Sequence, residues 1–348
     1  MNINKERLGE FQEMLAKNGL DAYIVSSKAD QGFLTGYFTA DWLLVVGRKK
    51  AWAVLSVMLK DQFLDVVPFC GAVASADVAS SAVELASKQH FKKVGFDPAA
   101  ESYLQGAYWK KKGFLEKPGL LAELRLTKRG EEIKNMRQAG QIAAEAFRKV
   151  KPRIRPGMTE CGVRLMLERA MQDMGATGPS FDTIIGAGSN SALPHHCTSE
   201  RVIKNNQVLL LDFGCVYNHY CSDMTRTIFL GKPDKKFLQM YRLVERAYHA
   251  GLATVRDGMS AFDVDKACRD VISKAGCGEY FIHGTGHGVG IDIHEPPRLN
   301  TRTTATLKAG MVVTVEPGVY FHGKFGIRIE DTVLVTDRGG ELLTGGLK

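Results

Sequence analysis

Arg155-Pro156-Gly157-Met158-Thr159-Glu160-Cys161-Gly162-Val163 returns 101 residues later as Arg256-Asp257-Gly258-Met259-Ser260-Ala261-Phe262-Asp263-Val264, and Gly175 returns at the same offset as Gly276. Both copies describe a turn, a hydroxyl residue able to cap the next helix, and a glycine that stops that helix. A helical stretch precedes each turn. Each copy then supplies a strand ending in an acid, Val208-Leu209-Leu210-Leu211-Asp212 in one and Met311-Val312-Val313-Thr314-Val315-Glu316 in the other. A second acid-bearing strand follows, through Asp223 and through Glu330. Two related halves facing each other across a pseudo-two-fold axis would gather these four carboxylates, so the expected class is α+β with an internal repeat.

Carboxylates in apolar strands cost several kcal/mol each unless they are paired or hold a cation. No lysine or arginine alternates through both acidic strands in numbers that could neutralise all four, which points to metal. Between the acids lies His283-Gly284-Thr285-Gly286-His287-Gly288-Val289-Gly290, followed by Ile291-Asp292-Ile293-His294-Glu295. Four glycines at alternate positions disfavour a helix by roughly 1 kcal/mol each. Gly284 also stands where an H-E-x-x-H zinc helix would need its glutamate. The stretch therefore reads as an extended segment turning imidazoles toward a cavity. Its glycine spacing is not G-x-G-x-x-G, so no dinucleotide site is expected. Four acids and an imidazole suit two divalent ions of moderate hardness, which can share a water and clamp a carbonyl during hydrolysis.

The chain has 348 residues, more than one average domain. Apolar periodicity at Leu8, Phe11, Met14 and Leu15 predicts a helix over residues 4–18. Strand-like runs follow at Ala22–Val25, Leu43–Val46, Trp52–Val57 and Val94–Phe96, with a helical stretch from Ser80 to His90. Strands alternating with helices over this length read as a small α/β domain, 1–120, a scaffold without convergent catalytic residues. Lys117-Pro118-Gly119 marks the break, and helical periodicity then runs from Glu123 to Val150 in the second domain, 121–348.

The excess of 46 basic over 38 acidic residues is scattered, with no basic run interleaved with aromatics, so nucleic-acid binding is not expected. Seven cysteines form no C-x-x-C pair. Together with the lack of an amino-terminal apolar core or a long apolar run, this sets the expectation of a cytoplasmic protein with no membrane partner.

Taken with their flanks, Asp212 and Asp223 eleven apart, His287 in Gly286-His287-Gly288-Val289-Gly290, Glu316 in Val315-Glu316-Pro317-Gly318 and Glu330 in Arg328-Ile329-Glu330-Asp331 closely resemble the five metal ligands of the pita-bread-fold metallopeptidases. The resemblance spans residues 125–345, and the first domain is similar to the amino-terminal domain of creatinase, prolidase and aminopeptidase P. It implies that Asp223 and Glu330 bridge two divalent ions, Asp212 binds one of them, and His287 and Glu316 serve the other. Glu316 also matches the general base acting on a hydroxide that bridges the two metals. His195, His283 and His294 match outer histidines that contact substrate or shuttle protons, and Arg328 matches an arginine just behind the ligands. His196 reads as a packing residue, and Asp292 and Glu295 as structural. The implied cofactor is a pair of Mn²⁺ ions, with Co²⁺, Zn²⁺ or Fe²⁺ as alternatives, and the implied assembly is a homodimer.

Methionine aminopeptidases share these five ligands, but the long first domain and the H-G-x-x-H arrangement at 283–287 resemble the proline-directed branch. Creatinase and the non-peptidase binding modules of this fold do not keep the full ligand set. The expectation is a metal-dependent exopeptidase cleaving between an amino-terminal residue and a following proline, of aminopeptidase P type, with a dipeptide-cleaving prolidase as the alternative.

Overall fold

Burial of Leu8, Phe11 and Leu15 on one face turns the amino-terminal periodicity into helix α1 (Ile3–Lys17) of the computed structural model, which describes residues 3–345. The chain forms two compact units that divide between Arg125 and Leu126. In the first unit six strands, β1 (Ala22–Val25), β2 (Leu43–Gly47), β3 (Ala51–Leu55), β4 (Gly71–Ala74), β5 (Val94–Phe96) and β6 (Leu115–Glu116), make one sheet in the order β4-β3-β2-β1-β5-β6. Helices α2 (Lys28–Thr35), α3 (Val57–Val66), α4 (Val78–Lys88), α5 (Tyr103–Lys111) and α6 (Leu120–Arg125) complete it. Ile24, Val45, Val54, Phe96 and Trp109 share its core. The strand expected to reach Val57 stops at Leu55, because extended Ser56 opens α3 and leaves Val57 outside the sheet.

The helix expected from Glu123 to Val150 is interrupted. α6 ends at Arg125 and α7 (Glu131–Val150) starts after Gly130, whose positive φ of 52° turns the chain. The intervening segment is drawn away by long-range bonds, which local periodicity does not report. The Lys128 amide donates to Gly310 O at 2.7 Å, and its buried ammonium meets buried Glu295 at 2.8 Å.

After α7 the first half of the larger unit runs through α8 (Glu160–Gln172), β7 (Gly178–Pro179), β8 (Ile184–Ala187), β9 (Gln207–Phe213), β10 (Cys215–Tyr217), β11 (Tyr220–Cys221) and β12 (Met224–Leu230). The second half begins with α9 (Lys235–Thr254) and α10 (Ala261–Lys274). Its strands are β13 (Gly286–Gly288), β14 (Glu295–Leu299), β15 (Val312–Val315), β16 (Gly318–Phe321), β17 (Phe325–Arg328), β18 (Asp331–Thr336) and β19 (Gly339–Leu342). The repeated turns do matching work. Thr159 Oγ1 accepts from Gly162 N at the start of α8, Ser260 Oγ from Phe262 N at the start of α10, and both residues form a bridge to a later segment, Val202 and Thr306.

Each half packs its helix pair on its own sheet, β12-β9-β8 in one and β14-β13-β15-β18-β19 in the other. Leu209 and Leu211 point from β9 into the α7–α8 layer, and Val313 and Val315 from β15 into the α9–α10 layer. Fully buried aliphatic side chains of this kind contribute about 1.5–3 kcal/mol each. A polar seam joins the two sheets. The Glu330 amide donates to Thr225 O at 3.2 Å, Thr332 Oγ1 to Asp223 O at 2.7 Å, and Thr227 Oγ1 to Arg328 O at 2.9 Å. Arg226 crosses the same seam to pair with buried Asp331 at 2.8 Å. Among the described residues no helix is long and apolar enough to cross a membrane.

Candidate metal centre

The seam sets four acids at corresponding strand ends. Asp212 lies one residue inside the end of β9 and Asp223 directly precedes β12, with Phe213 opposite Met224 in register. Glu316 directly follows β15 and Glu330 directly precedes β18, flanking the pair Val315 and Asp331. His287 enters from β13, held between β14 and β15. The glycines around it serve packing more than bending: a Cβ at Gly286 would collide with Thr314 O, one at Gly288 with Pro296 O, and one at Gly290 with the Glu295 carboxylate. Only glycine lets three backbones approach this closely.

All nine residues singled out in the sequence, the five expected ligands with His195, His283, His294 and Arg328, line one cavity of about 750 Å³. One ligand atom each from Asp223, His287 and Glu330 lies within 4.8 Å of the other two. His287 Nε2 is 3.5 Å from both Asp223 Oδ2 and Glu316 Oε1. Its Nδ1 lies 2.9 Å from Gly288 O, which can only accept, so the ring proton sits on Nδ1 and the Nε2 lone pair faces two carboxylates. Acceptors facing acceptors in a buried site call for a cation between them.

The electrostatics agree. Burial pushes Asp223 and Glu330 well above the usual carboxylate range, and the neighbouring negative charges push the same way. Burial likewise lifts Glu316 to about 7, against the attraction of Arg328. Burial pulls His287 down to about 3, keeping its imidazole neutral. Among the described residues one guanidinium bonds a carboxylate of the cluster, Arg328 Nη2 to Asp212 Oδ2 at 2.5 Å. Among the described residues Asp212 Oδ1 and Asp223 Oδ1 are buried with no hydrogen-bond partner. Two orphaned carboxylate oxygens, a neutral imidazole and a surplus of negative charge fit divalent metal.

Residues that the sequence reading passed over hold this set in place. Thr225 Oγ1 donates to Glu330 Oε2 at 2.6 Å and accepts from Arg328 Nε at 3.0 Å. Thr314 Oγ1 donates to Glu316 Oε1 at 3.1 Å and accepts from the His287 amide. Thr225 stands two residues after Asp223 and Thr314 two before Glu316, so each shares a strand face with an acid. That two-residue spacing is a signal the sequence did carry. Tyr320 had none: its hydroxyl accepts from Arg328 Nη1 at 2.8 Å and donates to His283 Nε2 at 2.9 Å. His283 Nδ1 in turn donates to Gly284 O at 2.7 Å, so both its ring nitrogens are engaged, and burial lowers its pKa to about 4. Buried Asp265 and half-buried Arg269 fasten the same loop, Asp265 accepting from the Thr285 amide and Arg269 donating to His283 O at 2.8 Å. His294, exposed on its cavity side, stacks edge-on to His287 at 4.4 Å, and this partial burial lowers its pKa. His196, expected to be a packing residue, bonds buried Glu160 at 2.8 Å.

Residues 134–337 match the model of metallopeptidase family M24, and residues 7–137 match the creatinase/prolidase N-terminal domain. The chain belongs to metallopeptidase family M24. A solved Xaa-Pro dipeptidase from Bacillus anthracis superposes on this M24 peptidase with a TM-score of 0.95 at 34% identity, covering 99% of this chain and 98% of that one. An X-Pro aminopeptidase from Thermotoga maritima gives 0.91 at 29% identity, with 97% of each chain covered. An Xaa-Pro dipeptidase of Pyrococcus horikoshii is 32% identical over 99% of this chain and 98% of its own. These likenesses extend over both units, and they share the α+β class expected from the repeat and the pita-bread fold implied by the resemblance.

Proposed function

We propose that this M24 metallopeptidase is an exopeptidase that hydrolyses the bond between an amino-terminal residue and a following proline, using two divalent ions, Mn²⁺ first among them. The observation that carries the reading is the convergence of Asp212, Asp223, His287, Glu316 and Glu330 around orphaned carboxylate oxygens in one cavity. The similarity to Xaa-Pro dipeptidases and to an X-Pro aminopeptidase supports the proline preference. Asp223 and Glu330, at the centre of the set, would face both ions, Asp212 one, and His287 with Glu316 the other. When bound, such ions polarise the scissile carbonyl and acidify a water enough for attack at neutral pH.

The chain's own groups do the rest. Peptide hydrolysis moves a proton from the attacking water to the leaving proline nitrogen, and the Glu316 carboxylate, oriented by Thr314, is placed to accept and return it. Arg328 holds Asp212 through one nitrogen and Tyr320 through another, so His283 acts through this chain to keep the acids in place. His195 and His294 stand exposed at the cavity wall, free to bond substrate main-chain groups.

Arg298 favours dipeptides over longer chains. It lies opposite His287 in the β13–β14 register, lines the cavity, and among the described residues has no hydrogen bond or ion pair. An unpaired guanidinium there suits the terminal carboxylate of an Xaa-Pro dipeptide, and a tripeptide moves that carboxylate away. The test is Mn²⁺-dependent hydrolysis of an Xaa-Pro dipeptide beside the matching Xaa-Pro-Yaa tripeptide and an Xaa-Ala control. The dipeptide should have the highest kcat/KM, and Arg298→Ala should lower it roughly 10–100-fold, the worth of one charge-assisted hydrogen bond. Equal cleavage of Xaa-Ala would overturn the proline reading, and a faster tripeptide would restore the aminopeptidase P type expected from the sequence.

A further inference from the structure

Glu160 is fully buried at the first turn of α8, and five hydrogen bonds end on its two carboxylate oxygens. Oε1 accepts from Ala187 N at 2.8 Å and Asn190 Nδ2 at 2.9 Å. Oε2 accepts from His196 Nε2 at 2.8 Å, Ser199 N at 3.1 Å and Ser199 Oγ at 2.6 Å. All five donors belong to one segment, residues 187–199. Burial alone would raise this acid, but the bonds from Ser199, His196, Ala187 and Asn190 outweigh it and hold the group below the usual carboxylate range. Ionised, Glu160 is an acceptor only, so the His196 proton must sit on Nε2.

His195 lies inside this segment. Among the described residues neither of its ring nitrogens has a hydrogen-bond partner. His283 and His287 are fixed through their own rings, whereas His195 is placed only by its backbone, and that backbone is fastened on both sides to Glu160. Other ties meet the segment away from His195, Gly326 N to Ser191 Oγ at 2.9 Å, Arg201 Nη1 to Asn190 Oδ1 at 2.8 Å and Cys161 N to Ser199 O at 3.1 Å, while next to it Arg328 Nη1 reaches Pro194 O at 3.3 Å.

We infer that Glu160 is the positioning residue for His195: a buried carboxylate 35 places earlier in the chain sets where that imidazole stands in the cavity. The turnover arm of its test rests on the peptidase reading above; the spectroscopic arm does not. A glutamine at 160 can satisfy the donors on one oxygen but turns an NH2 toward those on the other, so it should loosen one end of the segment. Glu160→Gln should lower kcat for the Xaa-Pro dipeptide roughly 10–100-fold with little change in KM. Ser199→Ala, which removes one donor and keeps the acid, should give a smaller loss in the same direction and serves if Glu160→Gln does not fold. The decisive comparison is the double variant with His195→Ala. If Glu160 acts through His195, the double variant is no slower than His195→Ala alone; losses that multiply would overturn the inference. In parallel, histidine-labelled NMR should show the His195 ring resonance, identified by its loss in His195→Ala, shifted in Glu160→Gln or Ser199→Ala while those of His283 and His287 stay. An unmoved His195 signal would overturn the inference even if no Xaa-Pro substrate is cleaved, and a moved one would support it in that same case.

Discussion

In the first half of the larger unit Asp212 is charge-paired with Arg328, and the outer histidine, His195, is held through its backbone by Glu160. In the second half Glu316 has a threonine hydroxyl in the place of a guanidinium, and His283 and His287 are pinned through their rings to neighbouring carbonyls. The two halves keep the same turn, cap and acid-bearing strands, so the difference lies in charge compensation and in how imidazoles are fixed. The lesson is a division of labour. The duplicated skeleton brings the acids to one seam, while residues that are not duplicated decide which acid is paired with a guanidinium and how each imidazole is fixed.

The largest effect should come from the acids at the seam. Asp223→Asn or Glu330→Gln removes a charge that both halves share, and with several kcal/mol of metal-supplied stabilisation lost, turnover should fall by about a thousandfold or more. Metal analysis should show the loss of bound ion while circular dichroism stays near that of the parent; near-normal activity in either variant defeats the shared-ligand reading. Next in size, His195→Ala should lower kcat by roughly a hundredfold, the worth of one positioned proton-handling or hydrogen-bonding group. Tyr320→Phe, which cuts the link from His283 to Arg328, should cost less, roughly tenfold, since it acts through other residues. A reversed order would mean that the ring-pinned histidine, not the backbone-held one, meets substrate.

The charge difference also predicts opposite pH slopes. Glu316 is raised to about 7 when no ion is bound, so it holds its proton more tightly folded than unfolded, and stability of the ion-free protein should fall as pH rises from about 4.5 to about 7. His283 and His287, lowered to about 4 and about 3, act with the opposite sign, adding stability as pH climbs from that range to the ordinary histidine value of 6.5. In chelator-treated protein at stepwise pH, the melting temperature of the parent relative to Glu316→Gln should therefore fall across that window, the two histidines cancelling in the difference. Added Mn²⁺ should reverse it, with protons released on binding; a flat difference between parent and Glu316→Gln over that window contradicts the raised acid. The smallest effect compares the two caps: Thr159→Ala and Ser260→Ala should each cost about 1 kcal/mol, or roughly 2–4 °C in Tm. A clear inequality would mean that one copy of the turn bears more of the fold.

The repeat made much of this legible. Thr159 and Ser260, Gly175 and Gly276, and the strand-end acids stand at nearly constant offsets, and periodicity is a local property that a linear reading can see. Boundaries shaped by distant partners were not visible in that way. Lys128 leaves the helical pattern for Gly310 and Glu295, and Ser56 ends its strand to open a helix. Tyr320 could not be recognised as part of the site because its partners, His283 and Arg328, lie 37 residues before it and 8 after it.

By itself the order of residues determined the duplication, the class of the fold, the identity of the clustered acids and imidazoles, and the family resemblance, because residue type and short-range spacing carry all of these. Only the tertiary structure decided which oxygens are left without donors, which ring nitrogen carries the proton, that Arg328 compensates Asp212, and that Glu160 anchors the segment bearing His195. Each of those depends on burial and on contacts between residues far apart in the chain, and such contacts exist only once the two sheets meet along their shared seam.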